Sequence, residues 1–322
     1  MSNFKRKKLT TPDNAVQQIP SNLKRKKFTT LDKKAKRTPF AIFAVCLVGL
    51  YCLSLVAALL WAGFSSTKHL LDFEESPFGW YEHGITFKNY VDAFTRLYVP
   101  ISTENGTRYV YLLEMFGYSV VWAVGTAFVM TASRCICAYV CAKFSKFKIT
   151  KLMYALVIIL MSVSFPSNLA ISIQFNKMVG LYDNLIGRIV MSFTFTGTHF
   201  LFFYAAFKGV SREYAEAAYV DGAGLFTTMF KIMIPMVANM FLALFILEFI
   251  AQWNDYTISL VYLPSTPVVA YGLFRIQQNP IVAGNIPEML ASCTMVIIPT
   301  LALFIVFKDK LVSSMSIGGL KG

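Results

Sequence analysis

Phe40-Ala-Ile-Phe-Ala-Val-Cys-Leu-Val-Gly-Leu-Tyr-Cys-Leu-Ser-Leu-Val-Ala-Ala-Leu-Leu-Trp-Ala-Gly-Phe64 contains no charged side chain. A helix needs roughly 20 residues to cross about 30 Å of hydrocarbon, and this run exceeds that length. Five further windows are long enough and free of a cluster of charges, at about 117–142, 152–173, 185–207, 237–258 and 289–307, for six expected spans. The chain as a whole is 56% hydrophobic, 15% aromatic and only 15% charged, too apolar for a soluble domain of 322 residues. In lipid an open sheet leaves backbone groups unpaired, and no window alternates with the two-residue period of a barrel strand. The expected fold is therefore an all-α membrane bundle. The first apolar stretch begins only at Phe40 and outruns a signal-peptide core, so it is expected to stay as an anchor. Cys46, Cys52, Cys135, Cys137, Cys141 and Cys293 all fall inside expected spans, where they read as packed apolar side chains.

Charge sets the orientation. Of the net charge of +13, residues 1–39 supply twelve Lys or Arg against Asp13 and Asp32. That tail repeats itself, with Asn3-Phe-Lys-Arg-Lys-Lys-Leu-Thr-Thr-Pro-Asp13 followed by Asn22-Leu-Lys-Arg-Lys-Lys-Phe-Thr-Thr-Leu-Asp32. A basic segment without a core suits anionic headgroups better than nucleic acid, and the positive-inside rule makes it a cytoplasmic tail. Lys143, Lys146, Lys148 and Lys151 place the connection after the second span on the same side. The seven acids between Asp72 and Glu114 place the connection after the first span outside. Six spans then put both termini in the cytoplasm. Two domains follow: the tail at 1–39 and a transmembrane domain at 40–322, with its core at about 110–322.

The inward connection between the fourth and fifth spans reads Ser211-Arg-Glu-Tyr-Ala-Glu-Ala-Ala-Tyr-Val-Asp-Gly-Ala-Gly-Leu-Phe-Thr-Thr-Met-Phe-Lys-Ile-Met-Ile-Pro235. On a helix opening near Ser211, Ala215, Ala218 and Gly222 share a face of small residues that a second surface can approach closely. Glu213 and Glu216 suit the positive end of that helix. Gly222 and Gly224 permit a sharp turn. A second amphipathic piece carries Phe226, Phe230, Ile232 and Ile234, and Pro235 reads as the start of the next span.

This loop resembles the hallmark of the permease family of ATP-binding-cassette importers: a Glu-Ala-Ala triplet, a nearby Gly and an Ile-x-Leu-Pro ending. Glu216, Ala217, Ala218, Asp221, Gly222, Ala223, Phe230, Ile232 and Pro235 match, and Ile234 stands where Leu is usual. Gln252-Trp253-Asn254-Asp255-Tyr256 and the terminal Gly318-Gly-Leu-Lys321-Gly322 are similar to sequences of the sugar-importing, maltose-type members. The resemblance covers roughly residues 85–322 and leaves the basic tail outside. It implies a type I importer permease in the bacterial cell membrane, with the loop as a coupling helix seated on an ATPase subunit. It further implies a second homologous permease, two ATPase subunits that bind ATP and magnesium, and an extracellular solute-binding protein that delivers sugar. Lys321 and Gly322 become candidate ATPase contacts, and Gln277, Gln278 and Asn279 candidate contacts for the binding protein.

Polar side chains in apolar spans mark either a pathway or an inter-helix bond. Glu248, Gln252 and Asp255 share one helix face, continued by Phe241 and Phe245, with Trp253 and Tyr256 nearby. Carboxylates, amides and aromatic faces suit sugar hydroxyls and C–H surfaces. Weaker stripes are Asn168 with Ser172, and Ser192 with Thr196 and His199. Glu248 is equally readable as one half of a structural pair, His199 as a packing residue, and Arg134 as a side chain snorkelling to the interface. There is no Gly-x-x-x-x-Gly-Lys-Ser/Thr loop, so ATP hydrolysis is expected of another polypeptide. His69, His83 and His199 have no metal-type spacing and no cofactor is expected in this chain. A permease for a non-sugar solute, or a non-transporting scaffold or channel subunit, remain as other readings; a membrane enzyme lacks its nucleophile or metal ligands.

Overall fold

The computed structural model describes residues 39–103, 106–163, 169–278 and 284–317, with side chains beyond Val306 described only for Lys308. The basic tail, Asn168, Asn279, Lys321 and Gly322 lie outside the described residues. Helix α1, Pro39–Ser66, carries the uncharged run. One compact unit ends at Leu60 within this helix, and a second begins at Trp61.

The second unit opens with α2 (Leu70–Glu75) and α3 (Lys88–Arg96), then a hairpin of β1 (Tyr98–Thr103) and β2 (Gly106–Tyr111). The strands pair antiparallel from Tyr98 opposite Tyr111 to Thr103 opposite Gly106. The hairpin departs from an all-α fold. Its inward positions Val99, Ile101 and Val110 are buried with Leu97, Met115 and Val269, so the ribbon closes one end of the bundle.

Helix α4, Leu112–Lys143, is the axis of this unit. Ala123 and Ala127 have no exposed surface, and such small residues let α11 (Ala238–Trp253) come close enough for Phe249 and Trp253 to pack on them. Toward its C-terminus, Cys135, Ala138, Tyr139 and Ala142 meet Phe200, Phe203 and Phe207, all fully buried. The remaining elements are α5 (Lys148–Ser162), α6 (Leu169–Met178), α7 (Leu185–Met191), α8 (Thr198–Gly209), α9 (Glu213–Val220) and α10, which covers Leu225–Met236. After α11 come α12 (Thr257–Val261), α13 (Val269–Gln277) and the long α14 (Ile286–Ile317).

By length and composition, three described helices are fit to cross a bilayer: α1, α4 and α14 through Val306. A fourth appears if α10 and α11, bent by 76° at Val237, count as one. The other expected spans are not continuous. The 152–173 window contains the end of α5 and the start of α6, and 185–207 is broken between Met191 and Thr198. The break has a cause outside its own window. Gly197 takes φ +118°, and the freed carbonyls of Thr194 and Thr196 accept bonds from Ser133 Oγ at 2.8 Å and Arg134 Nε at 2.8 Å, both on α4. Pro235 is also displaced from its expected role. It lies in the last turn of α10, beyond a π-helical turn at Thr228–Met233, and α11 starts only at Ala238.

Candidate functional site

Two parts of the second unit gather the residues singled out by sequence. The first is the loop of α9 and α10. Ser211 Oγ accepts from the Glu213 amide at 3.3 Å, which supports the opening of α9. At the other end the Ala223 amide donates to the Ala218 carbonyl at 2.8 Å, and the turn is completed with Gly222 at φ +80°. This is the left-handed helix stop that glycine permits without strain. Ala218 is buried, and Ala215 and Ile232 pack on the cluster around Phe207 and Met233. Ala215 and Ala218 of the small-residue face are thus turned inward, onto the chain itself, while Gly222 stays exposed. What stays exposed is Glu213, Glu216, Ala217, Asp221 and Pro235, together with Val220 at 87%, Phe226 at 76% and Phe230 at 51%. Tyr214, Tyr219, Val220 and Leu225 join this face unannounced by any motif; an apolar residue such as Val220 closing a short amphipathic helix was the available signal.

The second part is a cavity of about 240 Å³ between α4, α7 and the α11–α12 junction. Ser192, Gln252 and Asp255 line it, as does Tyr262, whose hydroxyl meets Ser172 Oγ at 2.7 Å. Trp122, Thr126 and Met130 supply the α4 wall at a helical spacing of four, and Gln252 Nε2 lies 3.9 Å from Met130 Sδ. One turn further along α4, Arg134 closes the seam by pairing with Glu248 of α11. His199 Nδ1 stands 3.0 Å from the same carboxylate. Arg134 therefore does not snorkel. It is buried with its charge compensated, the condition under which an ion pair persists between lipid-embedded helices.

The other candidates lie apart from the cavity. Trp253 is buried, stacks on Phe249 with centroids 5.6 Å apart, and donates from Nε1 to the Val296 carbonyl at 3.3 Å. Asn254 is exposed and donates to the Ile250 carbonyl at 2.8 Å. Tyr256 stacks on Phe274 at 4.6 Å. Thr196 contributes its carbonyl to Arg134, as described above. Gln277 and Gln278 are exposed at the end of α13. Apart from Ser192, Gln252 and Asp255, sequence reasoning missed the lining residues, Trp122, Thr126 and Arg188 among them. Arg188, an isolated cation in an apolar window, was the readable sign. Among the described residues no group of three or more His, Cys, Asp or Glu is arranged to hold a metal ion.

A family model described as "Binding-protein-dependent transport system inner membrane component" matches residues 135–311, a stretch that includes the loop and most of the cavity lining. The diacetylchitobiose uptake system permease protein of Streptomyces coelicolor is 26% identical over 284 residues, covering 87% of this chain and 88% of the relative. The sulfoquinovosyl glycerol transport system permease protein of Agrobacterium fabrum is 23% identical over 82% of this chain and 88% of its own length. A solved bacterial ABC transporter involved in import of the acidic polysaccharide alginate shares the fold of one of its chains. The TM-score is 0.67 at 18% identity, over 84% of this chain and 95% of that one.

Proposed function

Because the chain belongs to the binding-protein-dependent transport system inner membrane component family, we propose that it is the permease subunit of an ATP-driven sugar or oligosaccharide importer in the bacterial cell membrane. It forms half of the translocation path and passes closure of the ATPases to the bundle. The observation that carries the reading is an uncovered apolar loop inside the family match together with a cavity between the helices, most of whose lining lies inside that match. The relatives named for diacetylchitobiose and sulfoquinovosyl glycerol favour a sugar as cargo.

In this reading the bundle has six spans with both termini cytoplasmic, the broken 185–207 segment and the α5–α6 pair each counting as one crossing. The loop residues Glu213 to Pro235 seat on one ATPase subunit, with Lys321 and Gly322 as further contacts. A second ATPase, a second permease and an extracellular binding protein complete the importer, and Gln277, Gln278 and Asn279 meet the binding protein. ATP and magnesium reside in the ATPases. Alternating access then needs two arrangements of similar free energy whose populations ATP and the loaded binding protein bias.

The reading is tested in the reconstituted complex. Gly222→Val places a β-branched residue at φ +80°, at a cost of about 1–3 kcal/mol to the turn. The protein is expected in the membrane at normal amount, with transport falling at least tenfold and ATP hydrolysis no longer stimulated by the loaded binding protein. Glu216→Lys, which leaves the turn intact, is expected to weaken coupling in the same direction. Full uptake by both variants, or a stable native complex without an ATPase, overturns the assignment.

A further inference from the structure

Three buried polar atoms on the cavity wall have no hydrogen-bond partner: Trp122 Nε1, Thr126 Oγ1 and Arg188 Nε. Trp122 and Thr126 are only 3% and 1% exposed. An unmade bond at such a depth costs about 1–3 kcal/mol, and a native site retains it where a ligand supplies the missing acceptor. The guanidinium of Arg188 is similarly underused. It donates from one terminal nitrogen to Asn176 Oδ1 at a long 3.4 Å and lies 4.3 Å over the Tyr262 ring. No carboxylate among the described residues comes within ion-pair distance of it.

Asp255 lines the same cavity, with one carboxylate oxygen accepting from the Thr257 amide at 2.9 Å. The cavity thus holds one cation and one anion that do not pair with each other. This charge arrangement selects. An acidic ligand gains at Arg188 and is opposed by Asp255, and an amino sugar meets the reverse. A hydroxyl or acetamido group brings acceptors and donors without net charge and satisfies both sides. The volume of about 240 Å³ leaves room for a sugar ring.

We infer that this subunit itself holds a sugar-binding subsite for one uncharged sugar residue. Trp122, Thr126, Arg188 and Gln252 are its donors, and Asp255 is its acceptor and its guard against acidic sugars. The assignment rests on the sugar-import reading above and adds to it the charge class of the cargo and the residues that choose it. Donors unmatched within the protein gain partners as the ring enters, and they lose them again when the helices that carry them separate, so the same atoms serve capture and release.

The test uses the complete importer with its ATPases in proteoliposomes. Uptake of tritiated maltose, cellobiose, melibiose and diacetylchitobiose identifies the best uncharged probe, and digalacturonate serves as the acidic probe. Equilibrium binding of both is then measured on the importer without binding protein. The wild type is expected to bind the uncharged probe and not digalacturonate. Arg188→Gln is expected to raise Kd for the uncharged probe at least tenfold, and Thr126→Val, which keeps the shape, several-fold. Asp255→Asn is expected to admit digalacturonate. If none of the five probes is taken up, the sugar-import reading falls. If uptake proceeds while both Arg188→Gln and Thr126→Val bind as the wild type does, or if the wild type prefers digalacturonate, the subsite falls and the transport reading stands.

Discussion

The segment from Trp61 to Tyr111 and the loop from Ser211 to Met236 both leave the membrane-spanning helices, yet they solve opposite problems. The first closes most of its own hydrogen bonding, with the buried Ser65 Oγ left over. Lys68 is fully buried and its ammonium donates to the carbonyls of Ser76, Pro77 and Gly79 at 3.0, 3.2 and 2.6 Å, 4.8 Å above the Phe64 ring. Asp72 accepts from the amides of Glu82 and His83 and from the His83 ring. Asn89 donates to the carbonyls of Ser66 and Lys68. Arg96 and Asn285 both donate to Glu288, which ties α3 to α14. The second region has its backbone turn in order but leaves Val220, Phe226 and Phe230 uncovered. Phe78 and Trp80 of the first region are also exposed, at 82% and 79%, so what separates the two is the density of buried polar bonds, high in the first and low in the second. Polar satisfaction can be closed locally, whereas burial of apolar surface needs a second body.

The sharpest way to break this contrast is Lys68→Met. It removes a buried charged donor that three carbonyls share, each such bond being worth about 1.5–3 kcal/mol. The expected loss is on the order of 3 kcal/mol after relaxation, read as a lower thermal midpoint and faster proteolysis between residues 68 and 83. An unchanged midpoint would remove the claim that this segment is internally tied.

A smaller effect is expected from Asp72 and His83, and it depends on pH. The hydrogen bond from His83 holds the Asp72 carboxyl below its usual range, and the bond to Asp72 raises the His83 imidazole above its own. The carboxylate contribution is present above the unfolded carboxyl value and disappears as pH falls through the lowered one. The imidazolium contribution is present below the unfolded imidazole value and disappears as pH rises through the raised one. Protection of the 72–83 backbone against hydrogen exchange should therefore be greatest between about pH 4 and 6.5 and decline on both sides. Asp72→Asn should flatten that profile.

The smallest effect on folding is expected where the loop is uncovered. Val220→Ser and Phe226→Ser remove no internal contact of weight and should shift the thermal midpoint of the isolated chain by less than about 0.5 kcal/mol equivalent. Association with the ATPase, measured by co-purification at graded concentration, should still fall at least tenfold. A loss of stability without a loss of association would reverse the contrast between the two regions.

Sequence legibility followed the reach of the interactions involved. Residues 40–64, 117–142 and 289–307 read correctly as long helices because an uninterrupted apolar run is a local property. The 185–207 window has a similar composition and breaks nonetheless, since the groups that stabilise the break, Ser133 and Arg134, stand some sixty residues earlier on α4. The hairpin at Tyr98–Tyr111 was hidden in what reads as a polar connection. Within the cavity, Ser192, Gln252 and Asp255 were visible as polar residues in apolar surroundings. Trp122 and Thr126 were not, because both are ordinary in a membrane helix until their unmet bonds are known. The Ala215 and Ala218 face was visible too, but a sequence does not say whether a small-residue face meets a partner or the chain's own core.

The 76° angle at Val237 has a plain geometric corollary. If α11 stands along the bilayer normal, Leu225–Met236 must lie nearly flat, like a bracket fixed to a post. In that placement the chain builds a shelf at the water's edge out of its own covalent backbone, and anything resting on that shelf bears directly on the foot of the post.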